Sequence, residues 1–141
     1  MTRIDFHSNI DDRIAYACRL ARKAHAAANR IILLTGDDAQ RDALDQALWS
    51  FSAPDFLPHV TSDDPLAAQT PIVLAPHDAG DFPHHQLLIN LSSHAAAQFA
   101  RFERVIEIVG RADGDVASGR ERWTFYKDRG YLLKHHVIEG A

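Results

Sequence analysis

Arg30–Thr35, RIILLT, places four aliphatic side chains in a row with nothing polar between them. A strand with one wet face alternates apolar and polar residues; one that does not alternate must be covered on both faces. That requirement predicts a parallel sheet with helices on each side. Gly36–Asp38 then turns the chain into a helix predicted over about Ala39–Trp49. Upstream, Arg3–Phe6 (RIDF) reads as a short opening strand. Ser8 or Asn9 can cap a helix from about Asp11 to Ala28, with Ile14, Ala17, Cys18, Ala21 and Ala24 along one side.

Downstream, Ile72–Ala75 (IVLA), Leu87–Leu91 (LLINL) and Val105–Val109 read as buried strands, the last broken only by Glu107. Asp63–Gln69 can start a short helix with Pro65 at its first position, and an Ala-rich helix is expected around Ala95–Ala100. A last helix is placed at about Asp115–Asp128, closed by Gly130, and Tyr131–Leu133 is extended. Alternating β and α units predict one domain over residues 1–141, a three-layer α/β/α arrangement with a mostly parallel central sheet, Rossmann-like.

The composition fits a globular chain: 141 residues, nearly half apolar, with six prolines. No apolar run approaches the ~20 residues of a membrane span, and MTRIDFHSNIDD holds no apolar signal core. A single cysteine, Cys18, leaves no internal disulfide and fits a reducing compartment, so a cytoplasmic protein with no membrane partner is expected. Net charge is −4, unevenly spread: residues 1–100 hold seven Lys/Arg against twelve Asp/Glu, and residues 101–141 eight against seven. Most of the chain thus lacks the clustered cations that neutralise phosphates, and no strong direct binding of nucleic acid is expected. Only Arg120–Lys134 reads as a local positive field, built by Arg120, Arg122, Lys127, Arg129 and Lys134.

Two stretches point to binding. On the last helix, Arg120, Trp123, Thr124 and Lys127 fall within one quadrant, with Tyr126 flanking it. Cations on either side of an indole suit an anionic ligand with an apolar end, such as an acidic peptide tail carrying a terminal aromatic. Ordinary core packing, with Arg and Lys stems laid over the rings, is the plainer alternative. In LDQALWSFSAPDFLPH (Leu44–His59), Leu44, Leu48 and Phe51 continue a helical spacing while Trp49 falls off it, and Phe56, Leu57 and Pro58 follow in a loop. Such side chains form an exposed interaction patch or the packing of a helix end.

Catalytic signals are absent from the sequence. No serine sits in a G-x-S-x-G elbow, and there is no H-E-x-x-H, C-x-x-C or phosphate loop. The Gly36 turn has two aspartates beside it, which repel phosphate. His77, Asp78, Asp81, His84 and His85 have ligand chemistry without a ligand spacing, and a solvated loop is expected there. No catalytic residue, metal or cofactor is assigned. A small Rossmann-like α/β enzyme or a nucleotide- or metal-binding protein is the alternative reading, with the Gly36 turn or the His77–His85 loop responsible.

The A-L-W…F-x-P-H block and the R-E-R-W-x-x-Y-K-x-x-G block, with the opening RIDFHS and ACRLARKA, resemble the chi subunit of bacterial DNA polymerase III across essentially the whole chain. The resemblance implies a three-layer α/β fold and a non-catalytic accessory subunit of the clamp-loader assembly. It implies two partners, the psi subunit and the acidic C-terminal tail of single-stranded DNA-binding protein. Arg120, Trp123, Thr124 and Lys127 fall on the tail-binding helix of that family, which often has Tyr where Trp123 stands and can have Lys where Thr124 stands. Trp49, Phe56 and Pro58 match the family's psi-binding patch, which the resemblance also links to helicase-like partners.

Overall fold

A computed structural model describes residues 1–51, 57–78 and 81–139, with Phe51 given by its backbone alone. The aliphatic runs become the middle of one seven-stranded sheet. Its strands are β1 (Arg3–Ile10), β2 (Ile31–Leu34), β3 (His59–Thr61), β4 (Ile72–Ala75), β5 (Leu87–Asn90), β6 (Arg104–Gly110) and β7 (Leu133–Val137). Their order is β3-β4-β2-β5-β6-β1-β7 and every pairing is parallel. Every residue of β2, β4 and β5 is buried, as unalternated apolar runs require.

The helices are α1 (Arg13–Ala26), α2 (Asp38–Phe51) and α3 (Asp113–Asp128). The chain runs outward from β1 through β2 to β3 and then returns through β4, β5 and β6 to β7. Right-handed crossovers therefore send the outward helices to one face and the returning helix to the other. On the first face Ala17, Cys18 and Ala21 of α1 and Leu44 and Leu48 of α2 meet Ile31, Leu33, Ile72 and Leu74. On the second, Tyr126 of α3 lies among Ile4, Phe6, Phe99, Phe102 and Val105. The expected three layers and parallel sheet are present.

Local chemistry moves several boundaries. Asp12, not Ser8 or Asn9, caps α1, its Oδ1 accepting from the Ala15 amide at 3.0 Å, and the two earlier residues stay in β1. The segment expected as a helix at Ala95–Ala100 contains only a 3₁₀ turn, Phe99–Arg101. Six residues give few hydrogen bonds against the cost of nucleation, and the Ala97 amide is already bound by Asp78 at 2.6 Å. Asp63–Gln69 likewise keeps only a 3₁₀ turn at Ala67–Gln69. β7 begins two residues later than expected, and β3 was not anticipated. Gly130, at φ +84°, ends α3 as read from the sequence.

Glu107 interrupts the apolar run of β6 and is fully buried. Arg122 of α3, itself buried, donates its Nε to Glu107 Oε1 at 2.8 Å, and the Tyr126 hydroxyl donates to Oε2. Asn90 Nδ2 on β5 donates at 3.0 Å, and Arg122 also reaches Ser118 Oγ and the Ser93 carbonyl. Burial pushes the Glu107 carboxyl above its ordinary range, and Arg122, Tyr126 and Asn90 pull against that by favouring the charge. Arg122, read from sequence as part of an exposed positive field, is thus committed inside. Arg122→Ala should cost about 3–5 kcal/mol in urea unfolding, because it strands a buried carboxylate. Adding Glu107→Gln should recover part of that loss; equal stability of the single variant and the parent would contradict this account.

Candidate functional site

The first turns of α3 carry Val116, Gly119, Arg120 and Trp123 along one side of the helix. Gly119 is where α3 comes closest to β6, since a Cβ there would lie 3.0 Å from both methyls of Val109. Beyond it the helix and the β1–β7 margin diverge, leaving an open pocket of about 550 Å³. Phe6, Val109, Val116, Gly119 and Trp123 supply apolar walls, and Arg111, Arg120, Ser8, Asn9 and His135 supply polar groups.

Backbone and side chains hold this opening in place. β1 departs from regular pairing between His7 and Ile10, and Asn9 within that irregularity has φ +64°, a region Asn tolerates better than most residues. Asn9 donates to the Ile138 carbonyl at 2.9 Å and accepts from Arg111 Nε at 3.1 Å, which sets the guanidinium beside the pocket. The Trp123 ring stands edge-on to Phe6 (centroids 5.2 Å apart) and to His135 (6.0 Å). His135 is in turn fixed by a 2.6 Å hydrogen bond between its Nε2 and Ser8 Oγ.

Of the four residues singled out on the last helix, the pocket brings together Arg120 and Trp123. Thr124 and Lys127 are exposed and do not line it. Tyr126, expected to flank the quadrant, is buried beneath it, bound to Glu107. Phe6, Ser8, Asn9 and His135, on β1 and β7, and Arg111, in the turn after β6, were missed, because strand pairing and not helical spacing brings them to the pocket. Val116 and Gly119 had a signal, the same helical spacing as Trp123.

The second stretch lies at the other margin of the sheet. Leu44 and Leu48 are buried and Trp49 is 57% exposed, as the broken stripe predicted. Its ring leans on His59 of β3 with centroids 4.7 Å apart. His59 is itself buried, its Nε2 3.2 Å from Asp45 Oδ1 and its Nδ1 2.6 Å from the Leu57 carbonyl. Pro58 is half-buried; Phe56 lies outside the described residues.

At the Gly36 turn, the helix-terminal amides are taken by the protein's own side chains: Gly36 donates to Gln40 Oε1 at 2.7 Å and Gln40 to Asp37 Oδ1 at 2.8 Å. Among the described residues no three His, Cys, Asp or Glu side chains gather to hold a metal ion. Cys18 is buried, which pushes its thiol up to about 11. No helix among the described residues is long and apolar enough to cross a membrane.

The fold and this pocket define a parallel α/β protein with an apolar, cation-rimmed recess at one sheet margin. The family described as DNA polymerase III chi subunit, HolC, matches residues 1–134. DNA polymerase III subunit chi of Pseudomonas aeruginosa is 36% identical, covering 98% of this chain and 98% of its own length. The protein of the same name from Escherichia coli K12 is 25% identical, over 94% of this chain and 88% of its own. The one from Haemophilus influenzae is 26% identical, over 83% and 81%. The crystal structure of T4 UvsW is similar in fold, with TM-score 0.67 at 8% identity, over 96% of this chain and 42% of that one. The chain belongs to the DNA polymerase III chi subunit family, and thus to the proteins of DNA replication.

One titration follows from the His77–His85 loop. His84 is buried with Nε2 3.2 Å from the Thr70 carbonyl, and burial, then Arg30, lowers its imidazole from 6.5 to about 4. Burial does the same to His7, with His136 adding to it. Here the unfolded chain binds the proton more tightly than the folded one. These groups' contribution is therefore complete above about pH 6.5 and is lost as pH falls toward about 4. His84→Gln should flatten the decline of the urea midpoint across that window; a slope equal to the parent's would show that His84 is not held neutral.

Proposed function

We propose that this chain is a non-catalytic accessory subunit of the DNA polymerase III holoenzyme, acting in its clamp-loader complex to link the psi subunit to the acidic C-terminal tail of single-stranded DNA-binding protein. The observation that carries the reading is the α3 pocket, whose apolar walls adjoin the guanidinium of Arg120. A chain that ends in an aromatic residue presents a ring and a carboxylate a few bonds apart. The ring fits against Trp123, Val116 and Phe6 while Arg120 pairs with the carboxylate. Lys127 and Thr124, exposed further along α3, face the acids that precede the ring, with Lys127 supplying the charge.

The psi contact is assigned to Trp49, Pro58 and Phe56. Trp49 and Pro58 stand at the β3 margin, whereas the pocket adjoins β7 and β1. Six strand spacings separate β3 from β7, roughly 30 Å, so both partners can bind at once. A helicase-like partner using the Trp49 patch would compete with psi and not with the tail.

The test is fluorescence anisotropy of a labelled peptide ending in Asp-Asp-Ile-Pro-Phe, with and without the Phe, at two salt concentrations. Exposed charge pairs contribute about 1 kcal/mol or less, so Arg120→Ala should weaken binding about two- to fivefold. Trp123→Ala removes the anchor and should cost tenfold or more, with circular dichroism confirming the fold. Thr124→Lys should tighten binding, more so at low salt. Trp49→Ala should abolish co-purification with psi and leave peptide affinity unchanged. Unaltered peptide binding by folded Trp123→Ala protein would remove the basis of the assignment.

A further inference from the structure

The face of the sheet opposite the α3 pocket carries a second collection of cations that is invisible in the linear sequence. α1 holds Arg13, Arg19, Arg22, Lys23 and His25 and not one Asp or Glu. It packs over β2 and β6, while Arg3 at the start of β1 and residues 134–137 of β7 stay exposed. A groove of about 330 Å³ results, in which Arg3 of β1, Lys23 of α1 and Arg104 of β6 line one surface with His7 and Glu103. A neighbouring recess shares Arg3 and Arg104 and adds Lys134 and His136 of β7. Asp5 lies beneath, accepting two 2.8 Å bonds from Arg104, a pairing that uses the charge of both. Glu103 is left in the groove against Arg3 and Lys23, with Lys134 in the neighbouring recess. The resistance of His7 to protonation has the same origin in part: after burial, His136 opposes a further positive charge there, and Arg104 and Lys23 do so against the opposite pull of Asp5.

We propose that this groove is a contact surface for the phosphate backbone of single-stranded DNA. Arg3 and Arg104 line both the groove and the neighbouring recess, so the cations from Lys23 to Lys134 belong to one continuous surface, which suits a ligand that carries negative charge along its length. Beside its charged residues the groove is lined by aliphatic side chains, His7, Asn29 and Gln86, with no Phe, Tyr or Trp, so it offers neither a ring slot for a peptide anchor nor a stacking platform for bases. Binding should thus be weak, indifferent to sequence and steeply dependent on salt. It is independent of the peptide pocket, which opens on the other face.

The test is anisotropy of fluorescein-labelled oligo(dT) of about 20 nucleotides with the full chain, from low to moderate salt. Arg3 and Lys23 are exposed, so replacing them should not disturb the core. The Arg3→Ala/Lys23→Ala pair is expected to weaken binding at least fivefold. It should also make the slope of log K against log salt shallower by roughly 1.4, about 0.7 for each lost phosphate contact. Arg41→Ala, which removes a cation from α2, should change neither quantity, and peptide affinity should be the same in all three proteins. Absence of oligonucleotide binding at low salt would overturn the proposal, as would equal binding by the double variant. So would displacement of the oligonucleotide by poly-glutamate of matched length at equal concentration, which would make the occupant an acidic peptide.

Discussion

A carboxylate buried in the middle of a parallel sheet constrains almost everything around it. Glu107 lies between Ile106 and Ile108 on β6, fully out of water, and its charge is tolerable only while Arg122, Tyr126 and Asn90 stay within hydrogen-bonding distance. Two of those partners are one helical turn apart on α3, so the rotation and height of that helix over the sheet are both set. Such a pair contributes little net stability compared with an apolar pair of the same shape. Its consequence here is positional. With Arg122 and Tyr126 turned inward, Arg120 and Trp123 are carried to the side of the helix that looks onto the β1–β7 margin.

The pocket exists because two elements decline to pack fully. Gly119 lets the backbone of α3 approach the Val109 side chain, which fixes the middle of the helix close to β6. The irregular pairing of β1 between His7 and Ile10 then places Ser8 and Asn9 on the rim of the pocket. Phe6 and His135, paired across β1 and β7, fill that wall by alternation, while their neighbours His7 and His136 point to the α1 face. The same alternation that builds the pocket therefore places Lys134 and His136 on the cationic surface behind it.

What could be read from sequence follows the range of the forces involved. RIILLT announces a two-sided parallel sheet because burial on both faces is written into consecutive residues. The spacing of Leu44 and Leu48 with Trp49 off the stripe, and Gly130 after α3, are equally local. The Glu107–Arg122 pair was not legible: Arg122 sits among exposed cations in the sequence, and only the packing of α3 on β6 shows which one turns inward. β3 has no apolar run, since a three-residue edge strand buries little more than His59. The pocket was half legible, its helical side by spacing and its strand side not at all. The resemblance located the family correctly from two separated blocks, and those blocks fall at the two margins of the sheet.

That placement bears on how the proposed contacts work together. The central strands of the parallel sheet are buried on both faces and stiff, so under the proposed reading occupancy at the Trp49 margin would leave the Trp123 pocket unaltered, and the two sites would act as fixed points on a rigid spacer. Linking two partners through such a spacer raises the local concentration of each near the other without any change in intrinsic affinity. A weak anchor in the α3 pocket is then an advantage, because each tail can be released and replaced while the assembly stays attached at the opposite margin. A cationic groove on the reverse face of the pocket's own margin extends the logic. Its affinity for phosphates could be low in isolation, because a strand coated by the protein whose tail the pocket is proposed to hold would already be within reach of Arg3 and Lys23.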